Sequence, residues 1–428
     1  MAIAVERGAL EIRALAAHGE DPQAFAALAR LLADAYPIMG VTTVDELARQ
    51  VEKTQQYAGD PGTAFVAAFR GAELVGAMRL YDYVMNARGH DVLTGGVGAV
   101  AVSPAHKRTG IARALLGWYL DHYRARGAPF AILWPFRTDF YRAIGFGYGT
   151  PFHRYRFAPA TLHDEGARGT VRFLEQRDAD ALIACYERVR ARTHGFIAKH
   201  RVSTERMLGD AALRHLGVED GGVLRGFMQT SAAAGGERMR NTDELIVRDL
   251  IYEDDAARAA LLGYLRAQRD QFARVVIESQ DDALYLASDD PRDGSDLAVA
   301  PPAAHRVAET GLGLMYRILD VPGALATLPA SALFTLRIDV QDAFHPPTAG
   351  SWTVRFGPHG APRCDDGAAR PDAALSIGIA ELSSVVLGSL RLRDVVRQGL
   401  ASIEPASALP QADAAFRADD KPQCVTRF

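Results

Sequence analysis

Cysteine is scarce in this chain of 428 residues, and the three that occur, Cys185, Cys364 and Cys424, lie far apart. There is no Cys-x-x-Cys pair and no Cys/His spacing of a zinc site, and the odd count argues against a disulfide framework. A reducing compartment is the natural expectation. Long hydrophobic runs are also missing; no stretch approaches the roughly 20 apolar residues that cross a bilayer. The opening residues Met1-Ala-Ile-Ala-Val-Glu6-Arg7 place Glu and Arg where a signal peptide would need its apolar core. The expected location is cytoplasmic, with no membrane partner. Charge of one sign is absent too. Lys and Arg number 48 against 52 Asp and Glu, for a net charge of −4. A global basic field for nucleic acid is thereby excluded. His90, His106, His122, His153 and His163 are scattered without a His-x-x-x-His or His/carboxylate spacing, so no metal is expected.

What is present is an ordinary globular composition, 48% apolar and 23% charged, in a chain long enough for about three domains. The first 158 residues alternate helix and strand signals. Phe25, Leu28, Leu31 and Leu32 recur at helical spacing, and Thr42 or Thr43 stands as an N-cap before the next helix. Strands are predicted at Ala64–Arg70, Leu74–Tyr83 and Gly95–Val102, a helix at Gly110–Arg126, and a buried strand at Pro129–Trp134. Residues 159–300 form a second α/β segment. There, Glu244–Tyr252 reads as a strand, Asp254–Gln271 as a helix with an acidic start, and Ala273–Glu278 as a strand. That order imitates the second half of the first segment. A turn- and proline-rich break around Ser288–His305 precedes residues 301–428, where strands and helices alternate again.

One run carries the strongest chemical signal. In Val100-Ala-Val-Ser-Pro-Ala-His-Lys-Arg-Thr-Gly-Ile-Ala112, an apolar strand ends at Val102, a proline turn follows, then a basic pair, and Gly110 opens a helix. A helix start flanked by Lys107 and Arg108 suits a pyrophosphate. Downstream stands Trp134-Pro-Phe-Arg-Thr-Asp-Phe-Tyr-Arg-Ala-Ile-Gly-Phe-Gly-Tyr148.

Together the two segments resemble the GNAT family of N-acetyltransferases. The shared turn Arg/Gln-x-x-Gly-x-Gly/Ala reads here Lys107-Arg-Thr-Gly110-Ile-Ala112, with Lys in place of Arg or Gln, which keeps the charge but loses the planar fork. The Pro-Phe-x-x-x-Phe-Tyr stretch and the three-part layout narrow the resemblance to the Eis-type acetyltransferases. The implied fold class is α/β: a catalytic GNAT domain at 1–158, a degenerate GNAT-like domain at 159–300 that lacks the phosphate turn, and a sterol-carrier-like domain at 301–428.

The resemblance also implies a function: acetyl transfer from acetyl-CoA to amines of aminoglycosides, polyamines or lysine side chains, by direct attack in a ternary complex. Val100, Ala101 and Val102 would pair with pantetheine and polarise the thioester carbonyl through a main-chain N–H. Lys107, Arg108, Thr109, Gly110, Ile111 and Ala112 would hold the phosphates. Tyr141 would be the general acid, and the carboxylate of Phe428 would accept the proton of the amine. A homo-oligomer, often a hexamer, goes with the family. Asp82, Asp91 and Asp139 could supply an acidic mouth, though surface charge is their simpler reading. Two other classes fit parts of the sequence: an acyl-CoA sensor without turnover, and a carrier of hydrophobic ligands built on the third domain.

Overall fold

Two units make up the structure, a computed structural model of the chain that describes residues 9–15, 22–163, 170–233, 243–295, 300–365 and 370–428. The opening residues read above for a leader lie outside these. The first unit comprises Met1–Gly149, Leu314–Asp420 and Arg427–Phe428, the second Thr150–Gly313 and Lys421–Thr426.

The first unit begins with β1 (Leu10–Ala14), α1 (Pro22–Ala35), α2 (Val44–Ala58), β2 (Thr63–Arg70), β3 (Glu73–Ala87) and β4 (His90–Val102). It continues with α3 (Ile111–Ala125), β5 (Phe130–Leu133), α4 (Thr138–Arg142) and β6 (Gly147–Tyr148). Thr43 caps α2 in a full capping box with Glu46. Side chains alternate across the sheet, so Phe65, Ala67 and Phe69 of β2 meet Phe25, Leu28, Leu31 and Leu32 of α1. Val66 and Ala68 face the other way, toward Leu115, Leu116, Tyr119, Leu120 and Tyr123 of α3. The six fully buried side chains of α3 form one stripe. Each contributes about 1.5–3 kcal/mol of burial, so packing rather than propensity holds the helix in place.

The second unit repeats this order. Its elements are β7 (Pro151–Phe157), β8 (Thr170–Phe173), α5 (Ala179–Arg190), α6 (Arg201–Leu208), β9 (Arg214–Asp220) and β10 (Val223–Ala233). Then come β11 (Glu244–Tyr252), α7 (Asp255–Ala267), β12 (Arg274–Ser279) and β13 (Ala308–Leu312). From β8 to β12 the succession of strand, two helices, three strands, helix and strand matches β1 to β5. The sheet runs β8-β9-β10-β11-β12-β7-β13.

The first sheet has the corresponding order β1-β2-β3-β4-β5-β14-β6, with β14 (Met315–Ile318) paired antiparallel to both β5 and β6. In each sheet the sixth position is therefore filled from elsewhere in the chain. β7 follows β6 in sequence yet lies in the second sheet, and β14 follows β13 yet lies in the first.

After β14 the first unit continues through α8 (Val321–Leu325), β15 (Phe334–Gln341), β16 (Gly350–Phe356), β17 (Arg363–Asp365) and β18 (Ala373–Gly378). It ends with α9 (Ile379–Val386), α10 (Leu392–Arg397), β19 (Ala401–Glu404) and α11 (Leu409–Ala415). A third sheet, β17-β16-β15-β18-β19, is antiparallel except for β15 with β18. All eight residues of α9 are buried. Its serines bind neighbouring backbone: Ser383 Oγ accepts from the N–H of Ile318, and Ser384 Oγ donates to the carbonyl of Tyr148. Arg317 on β14, fully buried, pairs with buried Asp342 and donates to the carbonyl of Ile144. Arg88, at the β3–β4 turn, donates to the carbonyls of Val386, Phe416 and Arg417.

Candidate active site

The site begins with a fault in β4. Opposite β3 the register steps from Ala77↔Ala101 to Arg79↔Gly98, so β4 carries one extra residue. Ala99 there has φ 48°, a left-handed conformation that a bulge permits. On its other side β4 pairs with β5 in parallel only at Thr94, Gly95 and Gly96. Beyond Gly96 the two strands part, and among the described residues no strand pairs with that edge of β4. An open edge of this kind can accept an extended chain by backbone hydrogen bonds. Val100, Ala101 and Val102 lie on it.

The chain then turns tightly into α3. Arg108 and Gly110 both have positive φ, 62° and 88°. Thr109 Oγ1 donates to the carbonyl of His106 and braces the turn. Gly110 is the N-cap and offers no side chain to the first N–H groups of α3. Those donors, with the positive end of the helix dipole, stand open beside the exposed Lys107 and Arg108. Uncapped donors, two cations and an open strand edge fit a cofactor that bears a pyrophosphate and an extended arm.

The second repeat shows the opposite chemistry at its corresponding turn. Two residues link β11 to α7, and the Asp254 carboxylate caps the helix by accepting from the N–H of Ala257 at 2.8 Å. Asp255 adds a second negative charge. An acid already stands where an anion would bind. This is the physical counterpart of the missing phosphate turn.

Tyr141 lies in α4 and is 3% exposed, with its ring edge-on to Phe136, Phe140 and Phe146. Burial, and secondarily the neighbouring Tyr36, push its pKa up, so the hydroxyl stays protonated throughout the neutral range. Among the described residues its hydroxyl has no hydrogen-bond partner. Tyr36, just after α1, donates its hydroxyl to the carbonyl of Val100 at 2.7 Å, and burial raises its pKa as well.

Phe428 approaches the same stretch of β4. Its ring stands 5.1 Å from those of Tyr81 and Tyr83, edge-on to both, and those two tyrosines stack on each other. A β-carbon added to Gly98 would lie 3.4 Å from the main-chain carbonyl carbon of Phe428 and 3.3 Å from the Tyr81 hydroxyl. Phe428 thus meets β4 just before the bulge and Tyr36 meets it just after. Arg79 completes the wall, stacked 4.0 Å over Tyr57 and 4.7 Å from Tyr81, with Asp60 at 3.6 Å. Burial brings the Tyr81 phenol up to about 12.

The sequence reading missed Tyr36, Tyr81 and Gly98. Tyr81-x-Tyr83 on one strand face was the available signal, since residues two apart share a face. Tyr36 had none, because a tyrosine after a helix is common.

The acidic candidates are engaged elsewhere. Asp82 accepts two hydrogen bonds from Arg126 and one from Tyr123. Burial opposes ionisation of Asp82, but these bonds outweigh it and lower its pKa. Exposed Asp139 pairs with Arg137. Cys185 and Cys424 are buried thiols pushed up to about 12 by desolvation, unsuited to nucleophilic work. Among the described residues no group of three or more His, Cys, Asp or Glu is disposed to hold a metal ion, and no helix is long and apolar enough to cross a membrane.

Comparison with known proteins agrees with this geometry. Residues 15–149 and 191–318 each match an acetyltransferase (GNAT) domain family, and residues 321–425 match the sterol carrier protein domain. An uncharacterized N-acetyltransferase of Streptomyces coelicolor is 29% identical over 369 residues, covering 81% of this chain and 84% of that protein. The N-acetyltransferase Eis of Mycobacterium tuberculosis is 25% identical over 388 residues, covering 84% and 87%. Among solved structures, a GCN5-related N-acetyltransferase from Kribbella flavida superposes with a TM-score of 0.76 at 21% identity, over 98% of this chain and 99% of that one. Eis1 from Mycobacterium abscessus gives 0.74 at 24%, over 98% and 100%, and shares the fold. With two GNAT domains, a sterol carrier protein domain and N-acetyltransferase relatives along most of its length, the chain is an Eis-like GNAT acetyltransferase.

Proposed function

We propose that this protein moves an acetyl group from acetyl-CoA to a primary amine of an aminoglycoside, a polyamine or a lysine side chain, by direct attack with both substrates bound. The observation that supports this most is the juxtaposition on β4: an open, bulged strand edge leading into an uncapped helix start, with Tyr36 and Phe428 along the same few residues and Tyr141 near enough to Tyr36 to feel its charge. When bound, acetyl-CoA supplies the activated acetyl thioester. Lys107, Arg108 and the first N–H groups of α3, from Gly110 through Ile111 and Ala112, hold its phosphates, with Thr109 bracing the turn. Val100, Ala101 and Val102 align the arm through their backbone and place a main-chain N–H against the carbonyl that gains negative charge. Tyr141 keeps a proton on Oη for the departing sulfur. The α-carboxylate of Phe428, lodged by its ring on Tyr81 and Tyr83, takes the proton from the incoming amine. A homo-oligomer working in the cytoplasm belongs to the same reading.

Thiol release from acetyl-CoA across a panel of aminoglycosides, polyamines and lysine peptides tests the reading. The panel should include amines with an apolar body, because Ile38, Met39 and Phe136 are exposed and close in sequence to Tyr36 and Tyr141. Release should require an amine. Lys107→Ala with Arg108→Ala should raise KM for acetyl-CoA about tenfold or more, since each removes a charge-assisted contact. Tight acetyl-CoA binding without release for any amine would replace the enzyme with a sensor.

A further inference from the structure

The second GNAT domain has the architecture of the first, but Asp254 caps α7, the helix that corresponds to α3, where an anion would otherwise bind. Register places the two repeats residue on residue. In β11 the pairing with β10 steps from Met228↔Leu250 to Thr230↔Val247, one extra residue at the place where β4 has its own. Leu250 then corresponds to Ala101, Val247 to Gly98, and Asp249 to Val100. β11 and β12 also part: they pair in parallel from Glu244↔Arg274 to Val247↔Ile277, and β11 continues to Tyr252 paired with β10 but not with β12. The second domain therefore has the same forked slot that the first domain leaves open.

That slot is filled by the chain's own tail. Cys424 is fully buried, close enough to Asp249 on one arm of the fork for that charge to bear on its thiol. From the other arm, Gln280, the residue after β12, accepts the Cys424 N–H on Oε1 at 2.5 Å. Gln280 Nε2 donates at 3.1 Å to the carbonyl of Thr150, and Thr150 Oγ1 donates at 2.6 Å to the carbonyl of Pro422. The Gln423 N–H donates to the carbonyl of His194 at 2.8 Å. Gly195 lies so close, at φ 91°, that a β-carbon there would stand 2.5 Å from the Gln423 carbonyl oxygen. Val425 packs with Leu182, Tyr186, Phe196 and Ile251. Lys199, paired with Asp249 at 3.7 Å, closes the same corner.

We propose that the second GNAT domain is a clamp for the chain's own tail, with residues 422–426 in the fork that a cofactor arm would enter in a working repeat, and Gln280 as the positioning residue that locks them there. Gln280 is suited to the task because both ends of its amide are engaged while it is 9% exposed. Phe428, two residues past the clamped segment, belongs to the first unit. The effect of the clamp on turnover rests on the role proposed above for Phe428; the clamp itself does not.

The test compares the full-length wild type with Gln280→Leu and Thr150→Val by hydrogen exchange at residues 421–426, alongside steady-state kinetics. In Gln280→Leu the Cys424 amide should exchange about 10–100-fold faster, the equivalent of one buried hydrogen bond lost, while amides of β10 and β11 keep their rates. kcat, normalised to the folded fraction, should fall with KM for acetyl-CoA unchanged, and the unaltered exchange of β10 and β11 separates this from general destabilisation. Thr150→Val should loosen the same segment less, and it serves alone if Gln280→Leu does not fold. Unaltered tail exchange in the variants that fold overturns the clamp. A loosened tail with undiminished kcat leaves the clamp standing and overturns the proton role of Phe428.

Discussion

Removing one oxygen atom from Tyr141 tests the site most directly. In Tyr141→Phe the ring keeps its edge-on contacts with Phe136, Phe140 and Phe146. The lost hydroxyl has no partner among the described residues, so folding stability should change by less than about 0.5 kcal/mol. Loss of a general acid removes about 10²–10⁴ in rate, or about 3–5 kcal/mol of barrier at about 1.36 kcal/mol per decade. The expected pattern is therefore an unmoved melting curve, unchanged acetyl-CoA affinity by calorimetry, and kcat for thiol release down at least a hundredfold. Tyr36→Phe is the built-in contrast. Its hydroxyl does have a partner, the Val100 carbonyl at the bulge. Deleting it should cost about 1–3 kcal/mol of stability through the stranded acceptor, with a smaller loss in kcat. The sign of the pH dependence follows from the same burial. A raised pKa keeps Tyr141 protonated beyond the ordinary phenol value near 10, so kcat should hold level on the alkaline side up to about pH 10. A kcat within threefold of wild type in Tyr141→Phe would refute the assignment. An alkaline limb with a midpoint near about 8 that disappears in the variant would keep Tyr141 as the acid but contradict its raised pKa.

Three further outcomes follow from the packing. Asp342→Ala strands the buried Arg317 guanidinium and removes the acceptor for the Phe344 and His345 N–H groups, and should cost at least about 3–5 kcal/mol in urea unfolding; Arg317→Met with Asp342→Leu should cost much less, and an equal cost would show that the lost charge pairing is not the cause. Hydrogen bonds from the Thr42 and Thr43 backbone, then from their side chains, pull the Glu46 carboxyl down to about 2. The capping it provides is complete above about pH 4.3, the unfolded value, and is lost as pH falls through about 2; an NMR titration midpoint near 4 would contradict this. Gly147→Ala drives a β-carbon into the Ala380 carbonyl oxygen and should destabilise by about 1–3 kcal/mol or more, read as a lowered denaturation midpoint, whereas an unchanged midpoint would mean that α9 yields freely.

Some of this was legible in the amino-acid order and some was not, for identifiable reasons. The turn at Lys107–Ala112 was readable because its chemistry is local: a strand, a proline, two cations and a glycine needed at positive φ all fall within one stretch. α3 was readable through its apolar stripe, and Glu244–Tyr252 through its run of β-branched and leucine residues. Tyr36, Tyr81 and Phe428 converge on β4 only through tertiary pairing, which no spacing announces. β14 was opaque for a different reason. All four of its residues are buried, Arg317 included, so it shows no alternation, and a buried arginine inside a strand reads as a surface residue until its partner Asp342 is placed.

The reciprocal placement of β7 and β14 bears on how the protein can be made. On the ribosome, Phe130–Leu133 emerges early but must wait for Met315–Ile318 before its outer edge is covered. Until then a wholly buried apolar strand presents bare N–H and C=O groups, the condition that invites pairing with another nascent chain. So distant a pairing also slows folding, because the whole intervening chain must be closed as a loop. A gene fragment ending at Gly149 would encode every residue proposed to hold acetyl-CoA, yet would leave that edge permanently bare. Expression of the isolated N-terminal GNAT domain should accordingly yield aggregates rather than a minimal enzyme, and the two repeats have to be inherited, synthesised and folded together.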